Sequence, residues 1–322
     1  MFTFIYCFDE NYNVQAVTSI VSLLENVSEK INILVVHREK DSFKKYLHLI
    51  EGHNKLEKLE IKNIERESLN FPNTKNKHVS EATYYRIYLD KIIENRDLEK
   101  VVYMDSDIIC LNNPIKYFNQ IYQDLVFYDK PLAARTEELN NVGMEPFDSV
   151  FLRNNMKSIN YFNAGVLIFN YKLWVENNYF GKLRDIQEKY EGELVYWDQD
   201  LLNKLFDGNY IELNNFSNFN LGVNWVIPTT VTKDIALLIH YQGSAKPWEI
   251  SSLHYPSTNL FQGIYGSIFN NNTFLQKSIF SRDLKGLLKL IFYFRIFKVK
   301  HPLSALKESF KMIYKEYLLK KL

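Results

Sequence analysis

The sequence predicts an α/β fold with a mostly parallel central sheet flanked by helices. Short apolar runs with strand character, at residues 3–7 and 31–36, alternate with segments of helical periodicity. Between those two runs, Val17, Ile20, Val21 and Leu24 recur at helical spacings of three and four residues. Such alternation is typical of βαβ units, whose strands pair in parallel.

The same alternation continues along the chain and predicts one large domain over residues 1–260. Predicted strands lie at residues 59–61, 100–104, 165–169 and 236–239, and predicted helices at 42–49, 82–93, 171–190 and 198–206. Residues 261–322 form a predicted helical C-terminal extension. A hydrophobic content of 46% is sufficient for a substantial core.

Composition excludes several classes of function. A net charge of +1 gives no reason to expect nucleic-acid binding. With two cysteines, Cys7 and Cys110, we expect neither a disulfide framework nor a cysteine metal site, which fits a reducing compartment. The first residues lack a basic segment, and no apolar run approaches the ~20 residues of a membrane span, so we expect a cytoplasmic protein.

Asp105-Ser106-Asp107 directly follows the strand predicted at residues 100–104. Ligands bind at the carboxyl ends of strands in such sheets, and carboxylates two residues apart project the same way along an extended backbone. They can therefore hold one divalent cation, which would neutralise a diphosphate leaving group. Haloacid-dehalogenase-type phosphatases also place Asp-x-Asp after a strand, but close to the N-terminus and usually with Thr or Val where Ile109 stands here.

A second group of functional candidates starts at His240, where the strand predicted at 236–239 ends, and runs to Trp248. One imidazole with two carboxylates suits Mn²⁺ better than the all-oxygen shell of Ca²⁺, with Mg²⁺ as the alternative. Gly243 allows a close backbone approach, and Lys246 can pair with a phosphate.

Six motifs follow one another along the chain: Phe8-Asp9-Glu10-Asn11-Tyr12, Thr83-Tyr84-Tyr85-Arg86, Tyr103-Met104-Asp105-Ser106-Asp107, Tyr161-Phe162-Asn163-Ala164-Gly165, Trp197-Asp198-Gln199-Asp200 and His240 to Trp248. In this order they resemble glycosyltransferase family 8, the retaining GT-A-fold enzymes that include lipopolysaccharide galactosyl- and glucosyltransferases and glycogenin.

The resemblance implies a role for each matched residue. Asp105, Asp107 and His240 would bind Mn²⁺, and the donor would be a UDP-sugar. Asp9, Asn11 and Tyr12 would bind the uracil and ribose, and Gly243 and Lys246 would contact the diphosphate. The donor sugar would be surrounded by Arg86, Asn163, Ala164, Asp198 and Gln199, with Ser106 and Gly165 beside them. His78 falls where relatives contact the acceptor.

Gln199 would lie beneath the anomeric carbon, where a double displacement needs a nucleophile. An amide is a poor nucleophile, so we expect front-face substitution instead. Relatives that use UDP-galactose tend to carry an aspartate in the strand after the metal motif, whereas this chain has Arg135 there. A guanidinium cannot accept hydrogen bonds from a sugar, which leaves glucose, an N-acetylhexosamine or an acidic sugar as candidates beside galactose.

Structural roles compete with these assignments. Asp198 can act as a helix N-cap, Arg86 can be a surface charge and His240 a structural histidine. Two other functions also stay open, a self-glucosylating glycogenin-like enzyme and a non-catalytic nucleotide-sugar-binding protein.

The C-terminal extension is strongly basic. From residue 282 onwards there are eleven Lys/Arg against three Asp/Glu, and Leu306, Phe310, Ile313 and Tyr317 recur at helical spacing. Basic charge beside aromatic side chains predicts an interfacial helix on anionic lipid, which places the protein on the inner face of the cell membrane. The alternative is a helix docked on the catalytic domain, with its lysines in solvent.

Overall fold

The computed structural model describes residues 1–63, 81–95, 98–137, 147–190, 194–221, 236–243 and 245–319. Within these ranges, seven strands form the central sheet and three form a small second sheet. The strands are β1 Thr3–Phe8, β2 Ile31–His37, β3 Leu56–Asn63, β4 Lys100–Met104, β5 Ile108–Cys110, β6 Leu132–Thr136, β7 Phe162–Asn170, β8 Ile211–Glu212, β9 Phe219–Asn220 and β10 Leu238–His240.

Helices flank both sheets. The α-helices are α1 Asn13–Asn26, α2 Lys40–Lys44, α3 Leu89–Ile92, α4 Ile115–Phe127, α5 Phe147–Asn154, α6 Tyr171–Glu176, α7 Tyr179–Glu188, α8 Asp198–Phe206, α9 Pro256–Phe269, α10 Phe280–Phe292 and α11 Pro302–Leu319. Segments of 3-10 helix lie at Glu10–Tyr12, Leu47–Leu49, Glu81–Tyr88, Ile250–Ser252 and Arg295–Lys298.

The central sheet has the strand order β3-β2-β1-β4-β7-β6-β8. Strands β3, β2, β1 and β4 pair in parallel, whereas β7 runs antiparallel to both of its neighbours, β4 and β6. The predicted α/β class with a mostly parallel sheet is therefore confirmed. The strand predicted at residues 165–169 lies within β7, the antiparallel member.

Each face of the sheet buries its own hydrophobic cluster. Along β1, Phe4 and Tyr6 pack on one side with α1 and α4, while Ile5 and Cys7 pack on the other with the 84–93 segment. Side chains on a strand alternate between faces, so a strand covered on both sides is apolar throughout. Both cysteines are buried and free.

Three predicted helices differ from the observed ones. Residues 42–49 form the end of α2 and a 3-10 turn, and residues 82–93 are mostly 3-10 helix. The helix predicted at 171–190 is two helices, because Asn178 adopts a left-handed conformation (φ 48°) and caps α7 by accepting from the Gly181 N–H. Asparagine tolerates this region better than most residues.

The second sheet places one end of β10 beside the end of β4. Strand β10 pairs antiparallel with β5, with His240 opposite Ile108, and parallel with β9. Because β5 follows the Asp105–Asp107 turn directly, this register brings His240 next to that turn.

The C-terminal helices pack against the α/β domain. Helix α9 crosses residue 260, so the predicted domain boundary falls inside a helix, and its Phe261 packs with Tyr241 and Trp248. Helix α10 lies so close to the 250–252 segment that a Cβ on Gly286 would be 3.2 Å from the Ser251 nitrogen. None of the described helices is long and apolar enough to cross a bilayer.

Candidate metal and nucleotide-sugar site

Three candidate metal ligands meet where the two sheets adjoin. Asp105 and Asp107 lie in the turn between β4 and β5, and His240 ends β10. The Asp105 N–H donates to the Gly165 carbonyl (2.9 Å), and the Tyr241 N–H donates to the Asp107 carbonyl (3.0 Å). These backbone bonds fix the turn against strands from both sheets.

The ligand atoms form a compact group. His240 Nε2 lies 3.3 Å from Asp107 Oδ1 and 3.9 Å from Asp105 Oδ2, and one ligand atom from each residue lies within 4.8 Å of the others. Adjacent ligands of an octahedral cation with bonds of ~2.1 Å are ~3 Å apart. Asp107 Oδ1 is buried and makes no hydrogen bond to the described residues. The donor set therefore fits a divalent cation.

Two protein side chains hold one oxygen of the Asp105 carboxylate in place. Tyr103 donates to Asp105 Oδ1 (2.5 Å), and Arg86 Nη1 lies 3.3 Å from the same oxygen. The other carboxylate oxygen, Oδ2, is the one that faces His240. One oxygen is thus held by protein donors while the second is presented to the site.

Lys246, whose contact with a diphosphate stays a prediction, lies beside the metal candidates. Its Nζ donates to Asp107 Oδ2 (2.6 Å) and to the Tyr241 carbonyl (2.7 Å). Burial disfavours the charged form of Asp107, but the positive charge of Lys246, with the His240 imidazole beside it, outweighs this effect and holds the pKa of that carboxyl well below its usual range. Asp107 is therefore an ionised candidate ligand.

The predicted uridine residues follow β1 at the same edge of the sheet. Asp9 caps the Glu10–Tyr12 turn by accepting from the Asn11 N–H (3.0 Å). The Tyr12 ring meets Trp248 edge-on at 5.9 Å. Burial raises the pKa of Tyr12, while the Lys246 charge opposes this rise. Gly243 has φ +85°, which favours glycine.

Arg86 is a buried cation between two carboxylates. Its Nε lies 2.6 Å from Asp198 Oδ2, and its guanidinium also bonds the Ala164 carbonyl and stacks 4.5 Å over the Tyr103 ring. Burial, helped by the negative charge of Asp105, raises the pKa of Asp198 to about 7 despite Arg86. The reading of Arg86 as a surface charge is therefore wrong.

Helix α8 starts at an unusual turn. Trp197, with φ +50°, occupies the N-cap position, so the alternative role of Asp198 as the cap is wrong. Gln199 Oε1 accepts from the Ala164 N–H (3.0 Å). Asp200 is fully buried and accepts from side chains of Arg153, Asn154 and Tyr161 and from the Tyr196 N–H.

Arg135 is held within the protein. Its Nη1 donates to the Asn218 carbonyl (2.7 Å) and its Nε to Asn215 Oδ1 (3.2 Å). It lies opposite Asn163 in the β6–β7 pairing, so it borders the predicted sugar residues. A direct contact with sugar or acceptor stays a prediction, and His78 lies outside the described residues.

Sequence reasoning missed Glu137, Asn218 and Gln242. The Glu137 carboxylate is buried and accepts from Asn163 Nδ2 (2.8 Å) and from Gln242 Nε2. The available signal was an acidic residue directly after a strand, as at Asp105, although the strand before Glu137 ends in the polar Arg135 and Thr136. No comparable local signal marks Asn218, whose partners lie far away in sequence.

The remaining predicted residues have defined places. Asn163 links Glu137 to Asn218, and Ser106 has a buried hydroxyl without a partner among the described residues. Gly165 faces His240 so closely that a Cβ there would lie 2.3 Å from the imidazole Cε1. The structure thus brings every described site candidate to one edge of the sheet or its immediate neighbourhood.

A mostly parallel α/β sheet with an Asp-x-Asp turn and a histidine from an adjoining strand defines a glycosyltransferase of the GT-A class. A sequence profile of the family described as glycosyl transferase family 8 matches residues 3–251. The chain therefore belongs to glycosyltransferase family 8, and it is a hexosyltransferase.

Individual relatives agree with this assignment. The lipopolysaccharide 1,2-glucosyltransferase of Escherichia coli is 28% identical over 303 residues, which cover 88% of this chain and 84% of that protein. The lipopolysaccharide glucosyltransferase WaaO of E. coli K12 is 29% identical over 252 residues, 71% and 70% of the two chains. A crystal structure of galactosyltransferase LgtC with donor and acceptor sugar analogs matches with a TM-score of 0.66 at 23% identity, covering 83% and 96% of the chains, which shows the shared fold.

Proposed function

We propose that the protein transfers glucose or galactose with retention of configuration from a UDP-sugar, with Mn²⁺ or in its place Mg²⁺, to a lipopolysaccharide or capsule intermediate. The observation that carries the proposal is the meeting of Asp105, Asp107 and His240, whose ligand atoms lie within 4.8 Å of one another, with the buried Asp107 Oδ1 3.3 Å from His240 Nε2. The relatives named as lipopolysaccharide glucosyltransferases support the acceptor class.

Each part of the site has a task in this reaction. A bound cation would stabilise the negative charge that develops on the diphosphate leaving group. Lys246 adds a positive charge on the same side, and Asp9, Asn11 and Tyr12 bind the uridine. Arg86, between Asp105 and Asp198, joins the metal side of the site to the sugar side.

The side-chain environment favours front-face substitution. Asp198 is paired with Arg86, Asp200 is fully buried by four donors, and the Gln199 carbonyl oxygen accepts from Ala164. The bond from the anomeric carbon to the diphosphate oxygen breaks, with its electron pair leaving on the diphosphate. The acceptor oxygen then bonds to the same face of the carbon, and its proton passes to a diphosphate oxygen.

Glu137 changes the argument about the donor sugar. Arg135 cannot accept hydrogen bonds from sugar hydroxyls, but the Glu137 carboxylate two residues later lies beside Asn163 and can do so. UDP-glucose and UDP-galactose therefore both remain candidate donors. Arg135 borders this pocket through Asn218, and we propose that it affects sugar selection indirectly.

Release of UDP from a panel of UDP-sugars, with and without Mn²⁺, tests the proposal. Asp107→Asn should lower the rate at least ~100-fold, because it removes an ionised ligand. Asp41→Asn, at an exposed residue paired only with Lys44, is the matched control and should keep the wild-type rate. Turnover that is independent of metal and of Asp107 would contradict the proposal.

Two further readouts separate the alternatives. Metal-dependent UDP binding by calorimetry without any turnover would identify a nucleotide-sugar-binding protein instead of an enzyme. A mass increase of the protein itself by hexose units would identify a self-glucosylating enzyme. Transfer to a lipid-linked glycan, with no increase in protein mass, is the expected result.

We also propose that the protein works on the cytoplasmic face of the cell membrane, held there by its basic C-terminal helices. Phe292, Phe294 and Phe297, at and after the end of α10, are each more than 70% exposed. Lys298 and Lys300 lie in the same short segment. Basic and aromatic side chains together favour binding to anionic lipid.

Helix α11 adds to this surface. The predicted apolar stripe is only partly buried: Leu306 packs against the cluster that contains Ala305, whereas Phe310 is 55% exposed, and Ser309 and Glu316 are buried instead. The extension therefore docks on the catalytic domain through one side and keeps apolar groups outside. Docking and membrane contact are compatible, and a lipid-linked acceptor gives a reason for both.

A further inference from the structure

The orientation of His240 depends on groups behind the metal site. A neutral imidazole offers a lone pair to a metal from one nitrogen only when its proton sits on the other. Here Nε2 faces Asp107 Oδ1 at 3.3 Å, while Nδ1 lies 3.0 Å from Asn218 Oδ1. The position of the ring proton therefore depends on whether Asn218 presents an acceptor or a donor to Nδ1.

Three buried side chains, Glu137, Asn163 and Asn218, determine which atom of Asn218 faces His240 Nδ1. We call these three residues the buried amide chain. Its first links have only one allowed direction. The Gly165 N–H can only donate, and it bonds Asn163 Oδ1 (2.9 Å); the Glu137 carboxylate accepts, and it bonds Asn163 Nδ2 (2.8 Å). The amide of Asn163 is therefore fixed with its oxygen toward Gly165.

The orientation of Asn218 follows from that of Asn163. Because Asn163 Oδ1 is an acceptor, the Asn218 atom 2.9 Å away must be the donor Nδ2. The remaining atom, Asn218 Oδ1, is then the one that faces His240 Nδ1. An oxygen acceptor at this place requires a proton on Nδ1, and in a neutral ring this leaves the Nε2 lone pair directed at the metal candidates.

Burial and packing protect this arrangement. Asn218 is 1% exposed, His240 4%, Asn163 6% and Glu137 7%, so water cannot easily replace a lost partner. Arg135 Nη1 holds the Asn218 backbone carbonyl at 2.7 Å. Reversing the Asn218 amide would set donor against donor at His240 and acceptor against acceptor at Asn163.

We propose that Asn218 is a positioning residue for the metal site. Through the buried amide chain it keeps the proton of His240 on Nδ1 and aims Nε2 at the cation. The inference rests on the proposed metal role of His240, but its first claim concerns the metal-free protein. The chain also connects the ligand His240 to Glu137, the carboxylate on the sugar side.

Nuclear magnetic resonance of [¹⁵N]histidine-labelled, metal-free protein tests the first claim directly. Long-range ¹H–¹⁵N spectra distinguish the two neutral tautomers, and His240→Gln identifies the ring among seven histidines. We expect a protonated Nδ1 and an unprotonated Nε2. The opposite neutral tautomer, with a proton on Nε2 and none on Nδ1, would overturn the proposal, whether or not the protein binds metal.

Mn²⁺ binding, followed by the electron paramagnetic resonance signal of free Mn²⁺, tests the second claim without catalysis. Asn218→Ala should weaken binding ~10–100-fold, as is typical when a ligand loses its hydrogen-bonded support. Asn218→Asp keeps an acceptor for Nδ1 but loses the donor to Asn163 Oδ1, so it should bind Mn²⁺ more tightly than Asn218→Ala and less tightly than wild type. Asn215→Ala is the matched control, because this exposed neighbour also bonds Arg135 but not the buried amide chain.

The outcomes separate this inference from the proposed function. Wild-type Mn²⁺ affinity in folded Asn218→Ala would overturn the positioning role while leaving the metal site intact. A wild-type protein that shows the expected tautomer but binds no Mn²⁺ would refute the proposed metal use and support the orientation of His240. If Asn218→Ala does not fold, the wild-type spectrum and the Asn218→Asp variant still decide the question.

Discussion

At the scale of single residues, Gly165 shows how a missing side chain creates the site. The family motif pointed to Gly165 as a nucleotide-sugar residue, and the structure adds a steric reason. A Cβ there would lie 2.3 Å from His240 Cε1 and 2.9 Å from Asn163 Oδ1. The His240 ring can therefore lie against the β7 backbone only because residue 165 is glycine.

We expect Gly165→Ala to abolish Mn²⁺ binding or to weaken it at least ~10-fold, since displaced ligands lose metal affinity by such factors. It should also destabilise the fold by about 1–3 kcal/mol through overpacking. Calorimetry with Mn²⁺ and urea unfolding measure the two effects. Gly263→Ala is the control: its nearest neighbour to a new Cβ is 3.8 Å away, and alanine favours helix α9.

Asp198 predicts a pH dependence of stability. Its pKa is raised to about 7 in the folded protein, chiefly by burial, whereas the ordinary value is 3.8. Between these values the folded state keeps a proton that the unfolded state has lost. The contribution to stability is therefore complete below pH ~4 and disappears as the pH rises through 7.

Urea unfolding of metal-free protein at pH 5 and pH 8 measures this contribution. Each unit of pKa corresponds to about 1.4 kcal/mol and the folded-state pKa lies about two units above pH 5, so Asp198→Asn should lose about 3 kcal/mol less stability than wild type between the two pH values. Equal losses in both proteins would mean that Arg86 keeps Asp198 ionised throughout.

At the scale of elements, hydrophobic periodicity predicted the positions of the helices well, but it did not distinguish α-helix from 3-10 helix. The 82–93 segment has helical spacing but is mostly 3-10 helix. In that geometry residues three apart are stacked, which lets the Arg86 guanidinium bond both the carbonyl and the hydroxyl of Thr83. Such side-chain hydrogen bonds cannot be predicted from the spacing of apolar residues in the sequence.

The strand ends were predictable because parallel strands bring their carboxyl ends together. Asp9 follows β1 and Asp105 follows the parallel strand β4, so strand direction alone brings both, with Asp107, to the same edge of the sheet. Glu137 and Asn218 could not be found in this way, because their roles depend on bonds across 26 and 55 residues of sequence to Asn163. Only the folded structure fixes which amide faces which partner.

The turn before helix α8 predicts a large stability effect. Asp200 ties this turn to α5 and β7 through its buried bonds to Arg153, Asn154, Tyr161 and the Tyr196 N–H. Asp200→Asn removes the charge and turns a donor toward donors, so it should cost about 3–5 kcal/mol. In contrast, Glu188→Gln breaks only the exposed pair with Arg184 and should cost under ~0.5 kcal/mol in the same unfolding assay.

At the scale of the whole molecule, charge and exposed aromatic groups are concentrated in the C-terminal extension. The chain is nearly neutral overall, yet the segment from residue 282 carries eleven basic against three acidic residues. Helix α10 docks through Gly286, Leu287 and Leu290, so the extension has a fixed orientation on the catalytic domain. A fixed orientation would hold the active site at a constant distance from a lipid-linked acceptor.

Sedimentation with lipid vesicles tests the membrane role of this surface. Wild-type protein should bind vesicles rich in anionic lipid, with binding that weakens as salt is raised, and should bind neutral vesicles poorly. Phe294→Ser combined with Phe297→Ser should reduce binding at least ~10-fold, because two exposed aromatic side chains no longer enter the interface. Phe127→Ser, at an aromatic residue that is 80% exposed on α4, should leave binding unchanged. Equal binding by all three proteins would assign membrane attachment to another surface, and no binding by wild type would leave docking on the catalytic domain as the role of the extension.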